Sequence, residues 1–157
     1  MTRVFTGDEL AGAVQQLFPD AVIGKSRDSV VIKPESLLEV AKALKETAGL
    51  DFDFLTSISA VDFIDHFEVV YHLTSIKHNH MAIVKTWCYD RENPNLPSLV
   101  SLWQGADYQE REVWDLMGIR FQGHPNLKRI MLWEGFQGHP LRKDFVEKPN
   151  PQAEASL

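Results

Sequence analysis

Two copies of the pentapeptide Phe-Gln-Gly-His-Pro, at residues 121–125 and 136–140, place His124 and His139 in identical surroundings fifteen residues apart. With Asp144, Glu134 or Glu112 these imidazoles have the donor types of a two-histidine, one-carboxylate metal site. The same residues support a second reading. Glycine admits φ > 0, while proline fixes its own φ and keeps the preceding histidine extended. Each copy is then a shaped loop whose imidazole can bond a backbone carbonyl and pin the chain. Just upstream, Asp107, Arg111 and Asp115 fall at i, i+4 and i+8 of a helix read over Ala106–Met117, with Glu110 and Glu112 beside Arg111. These carboxylates suit general acid–base work, a solvated salt-bridged face, or an anchor for the Arg- and His-rich loop that follows. In the third case Arg129, Arg142 or Lys143 would fold back onto Glu110 and Glu112. Such pairs are worth little when exposed and contribute more to specificity when closed under a partner.

Other candidates are weaker. His66, His72, His78 and His80 cluster in sequence, but His66 and His72 would stand about 20 Å apart on a strand, too far to share an ion. A polar turn and a solvated strand face account for them. Cys88 is the only cysteine, which excludes disulfides within the chain and thiolate-held zinc or iron–sulfur clusters; it reads as a small buried residue ending a strand. No phosphate-binding glycine loop, dinucleotide fingerprint or nucleophile elbow is present. Of the four tryptophans, Trp103, Trp114 and Trp133 lie in the last third and Trp87 before it, which fits core packing or an interface equally well.

The chain carries a net charge of −6, which argues against a general binder of nucleic acid or anionic membranes. The charge is uneven. Residues 118–145 hold five basic side chains (Arg120, Lys128, Arg129, Arg142, Lys143) against Glu134 and Asp144, so this stretch is +3 and the remainder −9. A basic, aromatic segment on an acidic body points to the carboxy-terminal part as the face that meets a partner. No apolar run reaches the roughly 20 residues of a membrane span, and the amino terminus lacks the apolar stretch of a secretory signal. The expectation is a soluble cytoplasmic protein.

The elements that must position these residues read as follows. Thr6 and Glu9 form a capping box ahead of a helix that Pro19-Asp20 ends. Residues 21–23 and 30–32 suggest a hairpin. Pro34-Glu35-Ser36 opens a second helix with Leu37, Val40, Ala41, Leu44 and Ala48 on one stripe, stopping at Gly49. Strands are expected over Phe54–Asp62, Phe67–Ser75 and residues 81–88; in the middle one Phe67, Val69, Tyr71 and Leu73 point one way and Glu68, His72 and Thr74 the other. Residues 93–97 mark a turn and 98–103 a short helix. This order predicts an α+β two-layer sandwich, helices on one face of a largely antiparallel sheet. Residues 1–117 would be the globular domain. Residues 118–157 would be an extended partner-binding segment, ordered by a neighbour and ending in a disordered tail.

One resemblance covers nearly the whole chain. Glu110-Arg111-Glu112-Val113-Trp114-Asp115-Leu116, then Gly118-Ile119, Gly123-His124-Pro125 and Gly138-His139-Pro140-Leu141-Arg142-Lys143-Asp144-Phe145 closely resemble the C subunit of the proton-pumping NADH:quinone oxidoreductase, bacterial respiratory complex I. Met117, Asn126 and Lys128 depart mildly from the family pattern. The resemblance implies a structural subunit of the peripheral arm, on the cytoplasmic face of the membrane, packed against the large quinone-site subunit. It implies no cofactor in this chain, with NADH, FMN, iron–sulfur clusters and quinone held by partner subunits. Glu110, Arg111, Glu112, Asp115, His124, Arg129, His139, Arg142, Lys143 and Asp144 would be the partner-binding residues. Related F420H2-, ferredoxin- or hydrogenase-linked complexes use similar subunits, so the branch stays open. A small His/carboxylate metal-dependent hydrolase is the rival from another class.

Overall fold

The computed structural model describes residues 1–149. In chain order the elements are β1 (Arg3–Val4), α1 (Gly7–Leu17), β2 (Val22–Lys25), β3 (Ser29–Ile32), a 3-10 turn (Pro34–Ser36), α2 (Leu37–Glu46), β4 (Phe54–Asp62), β5 (Phe67–Ser75), β6 (His80–Cys88), β7 (Asn95–Pro97), α3 (Ala106–Met117) and β8 (Arg120–Gln122). The capping box of α1 is present: Glu9 N–H donates to Thr6 Oγ1 at 3.2 Å, and Thr6 N–H donates to Glu9 Oε2 at 2.8 Å. Leu37, Val40, Ala41 and Leu44 of α2 are buried as their spacing predicts, but the helix ends at Glu46 and leaves Ala48 of the expected stripe exposed beyond it.

The main sheet runs β2-β3-β6-β5-β4, with β1 also paired to β6. Strands β4, β5 and β6 form an antiparallel meander, and β2 and β3 an antiparallel hairpin. The α+β architecture and largely antiparallel sheet are those predicted. Phe67, Val69, Tyr71 and Leu73 of β5 join Leu10 and Val14 of α1, Leu37, Val40 and Leu44 of α2, and Val113 and Met117 of α3 in one core. Glu68, Val70, His72 and Thr74 are half-buried on the opposite face.

One pairing was not anticipated, and two local expectations need correction. First, β3 and β1 both pair with β6 in parallel, which brings the amino-terminal hairpin to the central strand over a long loop of chain. Second, residues 98–103 are turns rather than a short helix: Leu99 O accepts from the amides of both Leu102 and Trp103. The cause is Glu110, whose carboxylate captures the Leu99 amide and the Ser98 hydroxyl. Third, residues 93–97 are not only a turn. Asn95–Pro97 forms β7, parallel to β8 and framed by Arg120 N–H to Pro94 O at 2.9 Å and Ser98 N–H to Gln122 O at 2.8 Å.

The histidines placed on a solvated face are more engaged than that. His80 is buried between Phe5 and Phe52 and bonds Leu50 O at 2.7 Å. His78 bonds Asp51 at 2.7 Å, and His72 bonds the Ser57 hydroxyl at 3.1 Å. Cys88 is buried at the end of β6, and burial pushes its thiol up to about 12. The part of the expected tail at residues 150–157 lies outside the described residues. No helix among the described residues is long and apolar enough to cross a membrane.

Thr86 is fully buried, and its hydroxyl donates to Ile32 O at 2.9 Å, which ties β6 to the end of β3. Thr86→Val keeps the shape and removes that bond. The expected loss is about 1 kcal/mol, read as a lower urea midpoint with an unchanged denaturant slope.

Candidate functional site

Helix α3 spans twelve residues and ends at Gly118, whose φ of 77° is left-handed. A Cβ there would sit 2.6 Å from the His139 ring, so both the conformation and the close approach require glycine. A helix leaves its last four carbonyls without intrahelical partners. Here each has one. Trp114 O accepts from Gly118 N–H at 2.8 Å, and Leu116 O accepts from Leu141 N–H at 3.0 Å. Asp115 O is bonded by His139 Nδ1 at 2.9 Å and by Arg129 Nη1 at 3.2 Å. Met117 O accepts from Arg142 Nε at 2.7 Å. The segment from Arg129 to Arg142 is therefore the cap of α3, and it sets two guanidiniums at the negative end of the helix dipole.

The repeated pentapeptide is a pair of clamps on that one helix. His139 bonds Asp115 O, and His124 Nε2 bonds Asp107 O at 3.0 Å. The two contacts are eight residues apart, about 12 Å along the axis. Gly123 and Gly138 both take positive φ, 87° and 91°, at the matching positions. Asn126 N–H donates to His124 Nδ1 at 2.9 Å, so Nε2 carries the proton given to the helix. The imidazoles do not converge on one ion, and no three His, Cys, Asp or Glu among the described residues gather as a metal-holding group.

Asp115 is the centre of the cap. It is fully buried; Oδ1 accepts from Arg129 Nη1 at 2.6 Å, and Oδ2 from the amides of Ile130, Met131 and Leu132 at 3.0, 2.7 and 2.9 Å. Burial alone would raise its pKa. Arg129 and the three amides outweigh that and hold it below the ordinary carboxylate value. Arg129 also donates through Nη2 to Phe136 O and Gly138 O, both at 2.9 Å, with its guanidinium 5.6 Å from the Trp114 ring. Arg111 donates to Lys128 O and Arg129 O, each at 3.1 Å, rather than to Asp107 or Asp115 as its spacing suggested. The Asp115 carboxylate is already saturated by Arg129 and three amides, and Arg111 is taken up by carbonyls of the incoming loop.

Glu110 and Asp115 thus sit inside the chain, which corrects their reading as residues facing a partner. Glu110 is fully buried, accepting from Ser98 Oγ at 2.6 Å and Leu99 N–H at 2.7 Å; burial raises its pKa. Neither Arg129 nor Arg142 reaches Glu110 or Glu112: Arg129 goes to Asp115, and Glu112 is exposed. Arg142 donates Nη2 to Arg91 O at 3.0 Å, which makes it an internal strut. Lys143 contributes its backbone N–H, donated to Asp62 Oδ2 at 2.9 Å, while its side chain is exposed. Asp144 pairs with Arg91 at 3.3 Å.

Sequence reasoning missed Asp62 and Arg91. Asp62 is buried, takes a two-pronged bond from Arg91 at 2.7 and 3.0 Å, and also accepts from Ile64 N–H at 2.8 Å; Arg91 foremost holds its pKa well below the usual carboxylate range. Arg91 and Arg142 lie 4.5 and 5.0 Å from the centre of the buried Phe67 ring. The signal was legible: Asp62 stands in phase with Ile58 on β4, at a position an apolar residue would fill.

Charged side chains of α3 and β4 fold a carboxy-terminal strap back onto the domain. A family described as respiratory-chain NADH dehydrogenase, 30 Kd subunit, matches residues 30–151, and the chain belongs to it. Among similar proteins, the NADH-quinone oxidoreductase C subunit of Roseiflexus castenholzii is 44% identical over 138 residues, covering 83% of this chain and 79% of that one. Its counterpart in Moorella thermoacetica is 44% identical over 142 residues, 88% of this chain and 94% of the other. Among solved structures, a chain of the membrane-bound sulfane sulfur reductase, an archaeal respiratory membrane complex, matches with a TM-score of 0.70 and 26% identity over 96% of this chain and 89% of that one.

Asp115→Ala is expected to cost about 3 kcal/mol, because it strands Arg129 and three amides. Hydrogen exchange should accelerate at Ile130, Met131 and Leu132 well before the β5 and β6 amides. A second test uses His139. Burial foremost, with the cations Arg129 and Arg142 nearby, lowers its pKa below the ordinary 6.5 against the pull of the Asp115 carbonyl. The unfolded chain then takes up the proton first on acidification. Its contribution to stability is complete above pH 6.5 and declines as pH falls from there toward the folded pKa. Denaturant titrations across that window should show the decline, and His139→Asn should flatten it.

Proposed function

We propose that this chain is a cofactor-free structural subunit of the peripheral arm of a proton-translocating NADH:quinone oxidoreductase, on the cytoplasmic face of the membrane. NADH, FMN, iron–sulfur clusters and quinone belong to its partners. Residues 118–149 dock on the large quinone-site subunit of that arm. The role is to hold the arm together so that redox centres elsewhere stay within tunnelling distance of quinone.

The observation that carries this reading is the inverted polarity of the strap. Two of its arginines point inward: the Arg129 side chain is 11% exposed and Arg142 is half-buried, while Lys128, Glu134, Lys143 and Asp144 remain exposed. Its apolar groups point outward, with Met131 61%, Trp133 48% and Val146 77% exposed, and Ile130 and Leu141 also exposed. A chain working alone would arrange these the other way round, and an apolar face of this kind marks an interaction site. Trp133, Phe136 and Phe145 line an open cleft of about 490 Å³ between them, suited to side chains of a partner. Exposed Glu112, Lys143 and Asp144 edge this surface, while Glu110, Arg111, Asp115, His124, Arg129, His139 and Arg142 shape it from beneath. Family membership and the NADH-quinone oxidoreductase relatives support the same assignment.

The likeness to a chain of a sulfane sulfur reductase favours a second reading, in which the same scaffold serves a complex with another electron donor. Mass identification of the proteins co-purified with the tagged chain from native membranes separates the two. Met131→Glu combined with Trp133→Glu is expected to abolish co-purification of the large quinone-site subunit and membrane NADH:quinone reductase activity. The isolated chain should keep its stability to within about 0.5 kcal/mol, as for exposed sites. Normal assembly of this double variant would overturn the reading.

A further inference from the structure

Ile64 holds a backbone conformation that works against its own side chain. It lies in the turn joining β4 to β5 with φ 75°, in the left-handed region, where a β-branched residue is strained. Three bonds hold it there: Asp62 Oδ1 accepts from Ile64 N–H, His66 O from Phe63 N–H at 2.9 Å, and Phe63 O from Asp65 N–H at 3.0 Å. Burial does not compensate, because Ile64 is 66% exposed. Asparagine or glycine would satisfy the turn without strain.

The surroundings are equally unusual. His66 is enclosed by aromatic rings: Phe63 stacked at 5.2 Å, Tyr89 at 5.2 Å and Trp87 at 5.5 Å. Trp87 Nε1 is locked to Glu68 at 2.8 Å. Phe63 and Tyr89 are nonetheless largely exposed, as is Val61. The result is a rigid aromatic platform with an aliphatic peak, the composition found where binding energy concentrates. Its rim is acidic. Asp65, Asp90 and Glu92 are exposed around it, while Arg91, the cation between them in sequence, is committed to Asp62 and Asp144. Acidic charge disfavours an anionic lipid surface and favours a basic protein face.

We infer that the β4–β5 turn and the end of β6 form a second protein-docking surface. Its partner is a protein face with exposed aliphatic or aromatic side chains ringed by Lys or Arg. This surface is separate from the strap but wired to it, since Asp62 holds both the Ile64 turn and the Lys143 amide. The inference rests on one part of the proposed function, that the chain works within a larger assembly.

The test uses the full chain, tagged and expressed in a host that assembles the complex. Ile64→Asn relieves the turn, and the melting temperature of the isolated chain should rise by about 2 to 4 °C. The share of that variant recovered in the assembled complex should fall at least about tenfold, as at a binding hot spot. Asp65→Lys with Glu92→Lys should weaken recovery to a degree that depends on salt. A photo-crosslinking residue at position 64 should capture a partner peptide that carries Lys or Arg beside apolar residues, with position 131 as the reference for the strap. Crosslinking from 131 but not from 64 overturns this proposal and leaves the strap reading standing. The proposal also falls if position 64 crosslinks only to lipid, or if Ile64→Asn assembles normally or destabilises the isolated chain.

Discussion

The four carbonyls at the end of α3 set the terms for the carboxy-terminal third of the molecule. A buried carbonyl left without a donor costs about 1 to 3 kcal/mol, and α3 stops where water cannot serve it fully. The Gly118 amide serves Trp114 O, and the chain supplies donors to the other three by bringing residues 129–142 back across the helix end. Placing Asp115 in the last turn opposes the helix dipole by about 0.3 to 1 kcal/mol. Four hydrogen bonds to that carboxylate, one of them from a guanidinium, outweigh the opposition. The acidic helix and the Gly-His-Pro-Leu-Arg loop are thus one device, a helix and its cap, which accounts for their appearing together.

That device explains how the strap packs on its own helix and still presents apolar side chains outside. Arg129, His139 and Arg142 are spent on backbone carbonyls, so Met131, Trp133 and Leu141 are left facing outward among the exposed charges. The same economy recurs at Asp62, whose two oxygens serve Arg91, the Ile64 turn and Lys143. Two carboxylates therefore govern both surfaces proposed to meet partners, although neither is itself exposed.

Much of the fold was legible in the sequence. The capping box at Thr6, the apolar stripe of α2 and the strict alternation along β5 each follow from local periodicity, and each holds in the structure. The candidate region was legible too: residue types and the repeat marked the stretch after Gly118, and the pinning of imidazoles to carbonyls was one of two readings offered. What stayed hidden was long-range. Nothing local says that β3 lies parallel to β6, that Glu110 would turn inward and unwind residues 98–103, or that Arg129 would choose Asp115. Such choices depend on which carboxylate is desolvated, and desolvation is a property of the packed chain.

The position of β6 has a consequence for how the molecule comes into being. It is the interior strand on which β1, β3 and β5 all converge, yet it follows most of the first half of the polypeptide. Until residue 88 has left the ribosome, α1 and the β2–β3 hairpin have no sheet to join, and their closure spans some of the longest loops in the chain. During synthesis the β4–β5–β6 meander, built from neighbouring contacts, is the natural nucleus, and the segment from β1 to β3 is the late arrival.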